Sequence, residues 1–341
     1  MTKSDLPVFI VTNSNSGGGA ERSMNLLCRE LDGLGMNIHL VNINDSKKDL
    51  MAPNVVTHQL GRKRQAGLFS TLKSLIGFQL IVWRYRPRKI ILNCEISELL
   101  GAFILRRRGL IVVQHTPNAW NGRRSLGQIV RSILRIKATT WVALRGKDVV
   151  WPFKFRSTYY VPNLIHLPEK KSLHSYSTIS RLVFIGRLHN EKRADWVLEI
   201  ADLLELPALL IGDGDEYSRL STLCDDKHSS IKLVGHVPNP WAHVKAGDLL
   251  LVTSDYEGDG LVVLETLSAG IPFLLRDIPD LRRFGFHSDN YCKSVEEFAA
   301  RIKEYRENAT GLIPDLDTKD ALLSERNPHL IASKWTLILD A

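Results

Sequence analysis

At 341 residues, with 44% apolar and 24% charged side chains, the chain has the composition of an ordinary globular protein with about two domains. It has no run of about 18 apolar residues, no C-x-x-C pair among Cys28, Cys94, Cys224 and Cys292, and no zinc-spaced His/Cys cluster, which excludes a spanning helix and a structural metal and points to a reducing compartment. The net charge of +8 divides unevenly: residues 1–165 hold 25 Lys+Arg and 9 Asp+Glu, residues 166–341 hold 20 and 28, so the first half is expected to meet an anionic surface and the second is not.

In chain order, MTKSDLPVFIV lacks a signal-peptide layout. Val8 to Thr12 reads as a β-branched strand that runs into a glycine-rich turn, NSNSGGGAERS. Gly17, Gly18 and Gly19 would let a backbone approach a ligand closely, but a plain tight turn would look the same. The following helix has an apolar stripe at Leu26, Leu27, Leu31 and Leu34. Further strand-like runs are Ile38–Ile43, Lys89–Leu92, Leu110–Val113 and Trp141–Leu144. Their alternation with helical stretches predicts a doubly wound, mostly parallel sheet, with ligands beyond the carboxyl ends of its strands. His115 stands at one such end; a histidine there serves structure as readily as chemistry.

Residues 61–89 predict a basic amphipathic helix. Leu68, Phe69, Leu72, Leu75, Ile76, Leu80 and Trp83 can share a face, flanked by Arg62, Lys63 and Arg64 and by Arg84, Arg86, Arg88 and Lys89. Such a helix can lie on an anionic membrane surface, but a crossover packed on the sheet with solvated flanking charges accounts better for the apolar face. Arg106, Arg107 and Arg108, then Arg123 and Arg124, continue the basic theme. Nucleic acid is not expected as a partner, since no recognised binding pattern occurs.

YYVPN, from Tyr159 to Asn163, reads as the last strand of the first domain, and Leu182 opens a second αβ domain. In GRLHNEKRADWVLEIA, Arg187 lies on a loop and Lys192 near a helix start, where two cations and helix amides can clamp a diphosphate. Trp196, Ile200, Leu203 and Leu204 should bury that helix. The turns at Gly212 and Gly214, and at Gly235 and Val237, offer backbone groups and an apolar edge to a planar base, or are simply turns. Asp213 and Asp215 fall in one of them, and no other D-x-D metal motif stands out.

The stretch DYEGDGLVVLETLSAGIP, Asp255 to Pro272, follows an apolar run of buried-strand length. It places Glu257 at the strand's carboxyl end and Glu265 inside the next helix, with backbone amides between them. A ligand carrying hydroxyls at both ends and a diphosphate between suits that layout. The competing reading of each carboxylate is a helix cap or dipole partner.

With Arg187, Lys192, Glu257 and Glu265 in this order, the chain resembles the retaining GT-B glycosyltransferases with an E-x7-E motif. The likeness is strongest in GRLHNEKRADWVLEIA and EGDGLVVLETLSAGIP, fair in VPN and in GGAE at Gly18 to Glu21, and weak elsewhere in the first half. It implies two Rossmann-like domains facing across a cleft: 1–165 for the acceptor, 166–322 for the nucleotide sugar, and a helix over 323–341 returning to the first. Arg187 and Lys192 are then the pair that neutralises the leaving diphosphate, and Glu265 the ribose ligand. Glu257 lies near the donor sugar, and Gly258, Asp259, Gly260, Leu261 and Val262 line it with their amides. Gly18 and Gly19 close on the donor, and His115 reaches the transferred sugar.

The implied activity moves a sugar with retention from a nucleoside-diphosphate donor, UDP-sugar favoured, to a hydroxyl of a lipid-linked or polysaccharide acceptor in cell-envelope glycan synthesis. Lipopolysaccharide, O-antigen or capsule are the expected products. The protein is expected to be cytoplasmic, peripheral on an anionic membrane surface, with neither metal nor other cofactor. A nucleotide-sugar epimerase and an inactive nucleotide-binding scaffold are the rivals. Two departures stand out. Asp259 replaces a bulky apolar residue, and RDIPDLRRFG, with Asp280, replaces a glycine-rich turn ending in Glu.

Overall fold

The computed structural model describes residues 6–14, 18–44, 55–63, 67–106, 108–115, 120, 122–137, 140–144, 157–165, 178–227 and 230–341. Gly17, Arg64 and Arg107 lie outside the described residues. The chain divides into two compact units, residues 1–165 with 325–341, and residues 166–324.

The first unit contains β1 (Val8–Thr12), α1 (Gly19–Gly33), β2 (Ile38–Asn44), β3 (Val56–Arg62), α2 (Leu68–Tyr85), β4 (Lys89–Leu92), α3 (Glu95–Phe103), β5 (Leu110–Gln114), α4 (Arg124–Ile136), β6 (Thr140–Ala143) and β7 (Ser157–Tyr160). Its seven strands pair in parallel in the order β3-β2-β1-β4-β5-β6-β7. Because successive strand side chains point to opposite faces, β1 feeds two cores. Val8 and Ile10 pack with Leu27 and Leu31 of α1, while Phe9 and Val11 pack with Phe78 and Val82 of α2, Leu100 of α3 and Val130 and Leu134 of α4. Both faces being covered, β1 is apolar at every position but Thr12 and wholly buried.

The second unit contains β8 (Arg181–Ile185), α5 (Ala194–Leu204), β9 (Ala208–Ile211), α6 (Tyr217–Lys227), β10 (Ile231–Gly235), β11 (Asp248–Val252), α7 (Leu261–Ala269), β12 (Phe273–Arg276), α8 (Pro279–Arg282), β13 (Tyr291–Cys292), α9 (Val295–Tyr305) and α10 (Leu316–Ser324). Six parallel strands run β10-β9-β8-β11-β12-β13. The order reverses between β8 and β11, so the loops leaving these two strands diverge and open a crevice at their carboxyl ends. The last helix, α11 (Pro328–Asp340), belongs to the first unit, where Ile331, Trp335 and Ile338 join the core of Val8 and Ile10. Arg88 fixes its end by donating to the Leu339 carbonyl at 3.2 Å and to Asp340 at 2.9 Å.

Several elements differ from the sequence reading. β3 is an added edge strand; its half-exposed VTHQLGR carries too little apolar patterning to read as one. Leu34 is exposed at the end of α1, and Leu203 is exposed on α5, where Val197, Leu198 and Ala201 are buried beside Ile200 and Leu204. On α2 the side packed on the sheet is Phe78 and Val82, with Leu75, Ile81 and Tyr85 partly buried. Phe69, Leu72, Ile76, Leu80 and Trp83 face outward.

Candidate active site

Two loops meet at the point where strand order reverses in the second unit. After β8 the chain passes Gly186 and Arg187 and makes a 3-10 turn, Asn190–Lys192, before α5. After β11 it passes Thr253 to Gly260 and enters α7. The loops are bonded to each other. Thr253 Oγ1 donates to the carbonyls of Lys192 at 3.0 Å and Arg193 at 2.8 Å, and the Asp255 N–H donates to the Glu191 carbonyl at 2.8 Å. This stitching brings Lys192 Nζ to 2.5 Å from Glu257 Oε1, which also accepts the Ser254 hydroxyl at 2.8 Å. Both partners are largely shielded from water. The Glu257 N–H in turn donates to Asp280 Oδ2 at 3.1 Å.

Arg187 is exposed on the same loop and makes no ion pair or hydrogen bond among the described residues. It nevertheless lies within electrostatic range of Tyr256. Burial is the main cause that lifts the Tyr256 phenol above its usual pKa; Glu191 adds to the rise, Arg187 opposes it, and Glu257 and Asp255 add further. One free cation and one cation held by a carboxylate thus flank the crevice.

Close backbone approach explains two nearby glycines. A Cβ on Gly212 would lie 1.8 Å from the Gly186 carbonyl oxygen, and one on Gly214 would lie 2.3 Å from that of Leu188. Leu188 and Asp213 are joined by a 2.9 Å backbone hydrogen bond. These glycines therefore pack the β9 turn under the Arg187 loop. Val237, on the loop after β10, is partly buried.

Gly260 caps α7 at φ 64°, a conformation strained for any residue with a Cβ. The cap carries no side chain, so the N–H groups of Leu261 and Val262 have no intrahelical acceptor and present the positive end of the helix. Gly258 is partly exposed ahead of them. Glu265 lies in the second turn of α7 at 3% exposure, and Trp241 Nε1 donates to its Oε2 at 3.1 Å. Asp259 is buried with Arg283 NH2 3.7 Å from its Oδ1. Arg283 also donates to the carbonyls of Asp280 at 2.7 Å and Gly258 at 3.3 Å. A guanidinium thus braces the loop where the resemblance expects apolar bulk.

Arg187, Lys192, Glu257, Gly258, Asp259, Gly260, Leu261, Val262 and Glu265 accordingly lie on two adjoining loops and one helix of a single unit. The sequence reading omitted Trp241, Ser254 and Arg283. Trp241 follows VPNP in a short 3-10 turn, and no spacing rule connects it to a carboxylate 24 residues away. Among the described residues no group of three His, Cys, Asp or Glu could hold a metal ion.

Gly18, Gly19 and His115 belong to the first unit. Gly18 caps α1, whose first residue, Gly19, is exposed. His115 follows β5, and its Nε2 contacts Asn93 Oδ1; the amide oxygen accepts, so Nε2 carries the proton. Asn93 also reaches Thr12 Oγ1 at 3.4 Å, and Cys94 donates to Asn13 Oδ1 at 3.0 Å. Burial raises the Cys94 thiol to about 12, which keeps the donor protonated. These groups share the carboxyl ends of β1, β4 and β5.

Residues 179–308 match the family model of glycosyl transferases group 1. Over this segment the chain is similar to the glycosyl transferases of group 1. The matched span, β8 to α9, holds the whole Arg187–Glu265 constellation. Two curated relatives match parts of the chain. N-acetyl-alpha-D-glucosaminyl L-malate synthase of Bacillus anthracis is 25% identical over 151 residues, 41% of this chain and 39% of that one. The GtfA subunit of a UDP-N-acetylglucosamine–peptide N-acetylglucosaminyltransferase of Limosilactobacillus reuteri is 30% identical over 130 residues, 36% of this chain and 25% of that one. The matches thus span well under half of either relative. Among solved structures, Anabaena HepE in complex with UDP and glucose superposes with a TM-score of 0.79 at 15% identity, covering 98% of this chain and all of that one. At that identity the likeness establishes the fold: two parallel-sheet α/β units of the GT-B type.

Proposed function

We propose that the protein is a retaining glycosyltransferase that moves a sugar from a UDP-sugar to a hydroxyl of a lipid-linked or polysaccharide acceptor. The observation that carries this reading is the meeting of Lys192 and Glu257 at the strand-order reversal of the segment similar to group 1. The UDP and glucose bound by HepE, and the N-acetylglucosaminyl transfers in the relatives' names, support a UDP-linked donor.

In the proposed reaction negative charge gathers on the departing diphosphate. Lys192, Arg187 and the open amides of Leu261 and Val262 stabilise it. Because side chains and amides supply this charge, the reaction is inferred to be metal-independent. Donor binding displaces Glu257 from Lys192, and the freed carboxylate turns to the sugar hydroxyls. Glu265, oriented by Trp241, holds the ribose. Glu257 is not assigned as a nucleophile: once freed from Lys192 it is taken up by the sugar hydroxyls. Displacement on the face of departure, with a donor phosphate oxygen taking the acceptor proton, gives retention. Gly18, Gly19 and His115 enter the proposal on the resemblance alone.

The strongly basic first half supports a role in cell-envelope glycan synthesis of the lipopolysaccharide, O-antigen or capsule type, at the cytoplasmic face of a membrane. Among the described residues no helix is long and apolar enough to cross a membrane. The test is a thermal-shift screen of nucleoside diphosphates and their sugars, followed by turnover with and without glycolipid acceptors. UDP release that requires acceptor, with an α-linked product from an α-linked donor, is expected. Conversion of donor alone to an epimer, or binding without turnover for every acceptor tried, would overturn the reading.

A further inference from the structure

Helix α2 is apolar on two sides, and only one of them is used by the fold. Phe78 and Val82 fill the core beneath it, while Phe69, Leu72, Ile76, Leu80 and Trp83 stand in solvent, Phe69 at 83% exposure. Steps of three and four residues align the latter into one stripe along the helix. A crossover helix that served only the sheet would carry polar groups there.

The stripe continues onto neighbouring helices. α2, α3 and α4 cover the same face of the sheet, and their carboxyl ends are tied together. Gln79 Oε1 accepts the Leu105 N–H at 2.7 Å, and Lys137 Nζ donates to the Ile104 carbonyl at 2.6 Å and that of Gly101 at 3.2 Å. Phe103, Leu105 and Ile136 are exposed beside these ties, Leu105 at 78% and Ile136 at 85%. Trp83, Arg86, Leu105 and Arg106 line one surface hollow. Leu126 and Ile129 add exposed apolar groups on α4.

Charge around the stripe has one sign. Residues 55–144 contain 16 Lys+Arg against Glu95 and Glu98 alone. Glu98 is buried against Arg131 and Trp120, and Glu95 accepts the Trp120 N–H. Lys73, Arg84, Arg86, Arg108 and Arg135 are exposed. Pairing this face with a second copy would oppose like charges. Nucleic acid would answer the arginines but leave the apolar stripe uncovered. An anionic bilayer answers both: apolar side chains enter the headgroup–acyl boundary while guanidinium groups reach lipid phosphates.

We infer that the outer face of α2, α3 and α4 is a docking surface for an anionic lipid bilayer, with the first unit lying flat on it. This deepens the peripheral location proposed above and rests on that reading.

The experiment is flotation of the full chain with phosphatidylglycerol-containing and with pure phosphatidylcholine vesicles. The variants are Leu80→Glu/Trp83→Glu, Arg84→Glu/Arg86→Glu and the single Leu105→Glu, which lies outside any helix. Leu316→Glu, exposed in the second unit, is the control. The parent and the control are expected to float with anionic vesicles only, and the three variants to partition about tenfold or more weakly. Melting curves and UDP thermal shifts, unchanged in all, separate loss of docking from loss of fold or of donor binding. Equal partition of parent and all three variants, or equal flotation with neutral vesicles, overturns the inference. So does a concentration-dependent dimer in lipid-free sedimentation that Leu105→Glu disperses, which would assign the stripe to a second copy.

Discussion

Lys192 Nζ and Glu257 Oε1 lie 2.5 Å apart although 65 residues separate them in the chain. The pair is built by the reversal of strand order between β8 and β11, which sets two distant loops side by side. The carboxylate here holds the cation that the proposed reaction needs for phosphate. Ser254 on the same oxygen keeps Glu257 oriented.

That arrangement separates the two cations experimentally. Lys192→Ala leaves Glu257 shielded without its counter-charge, so stability should fall by about 1–3 kcal/mol. Arg187→Ala removes an exposed side chain with no ion pair among the described residues, so melting should not change. Turnover should drop about 100-fold or more in both. Steady-state kinetics beside thermal melts check this, and undiminished turnover in both variants would remove the diphosphate role.

Glu265 and Trp241 form a second test. Glu265→Ala should weaken UDP binding about tenfold or more, the scale of a hydrogen bond to a charged group. Trp241→Phe keeps the packing and removes only the N–H that orients the carboxylate, so it should weaken binding by less. Titration calorimetry decides the order; equal affinity in parent and Glu265→Ala would contradict a ribose contact.

Asp259 and Arg283 should act as one unit. Either alanine substitution loosens the loop from Glu257 to Gly260, and the double variant should cost less than the two singles combined, with a coupling of about 1 kcal/mol. A double-mutant cycle read by melting and by donor KM measures it. Strict additivity would show that the guanidinium braces the loop through its carbonyl contacts alone.

The first unit carries its own pH dependence. His39 Nδ1 and His58 Nε2 are 3.0 Å apart beneath Tyr85, and burial, with His58 adding, lowers His39 to about 4. His58 is lowered by burial as well. A histidine depressed in the folded state gains its proton more readily once unfolded, so stability is full above the unfolded value near 6.5 and falls as pH drops towards 4. By linkage the decline sets in below the unfolded value and grows as pH approaches 4. Denaturant melts from pH 7 to 4.5 should show the decline in the parent and a flatter profile in His39→Asn, after allowing for its lower starting stability.

The sequence by itself determined most of the strand–helix alternation, because strands buried on both faces are apolar at nearly every position, as in Lys89–Leu92 and Asp248–Val252, whereas the edge strand Val56–Arg62 is not. It also set Glu257 and Glu265 eight positions apart across a strand-to-helix turn, a local spacing that chain geometry carries unaided. Only the tertiary structure decided which groups meet. Lys192 finds Glu257, Trp241 finds Glu265 and Arg283 finds Asp259 because parallel strands deliver their loops to one edge, and no local pattern encodes that. The orientation of α2 was undecidable from periodicity for a related reason: a helix apolar on two sides has two equally good faces, and only the packing of Phe78 and Val82 on the sheet turns the stripe from Phe69 to Trp83 outward.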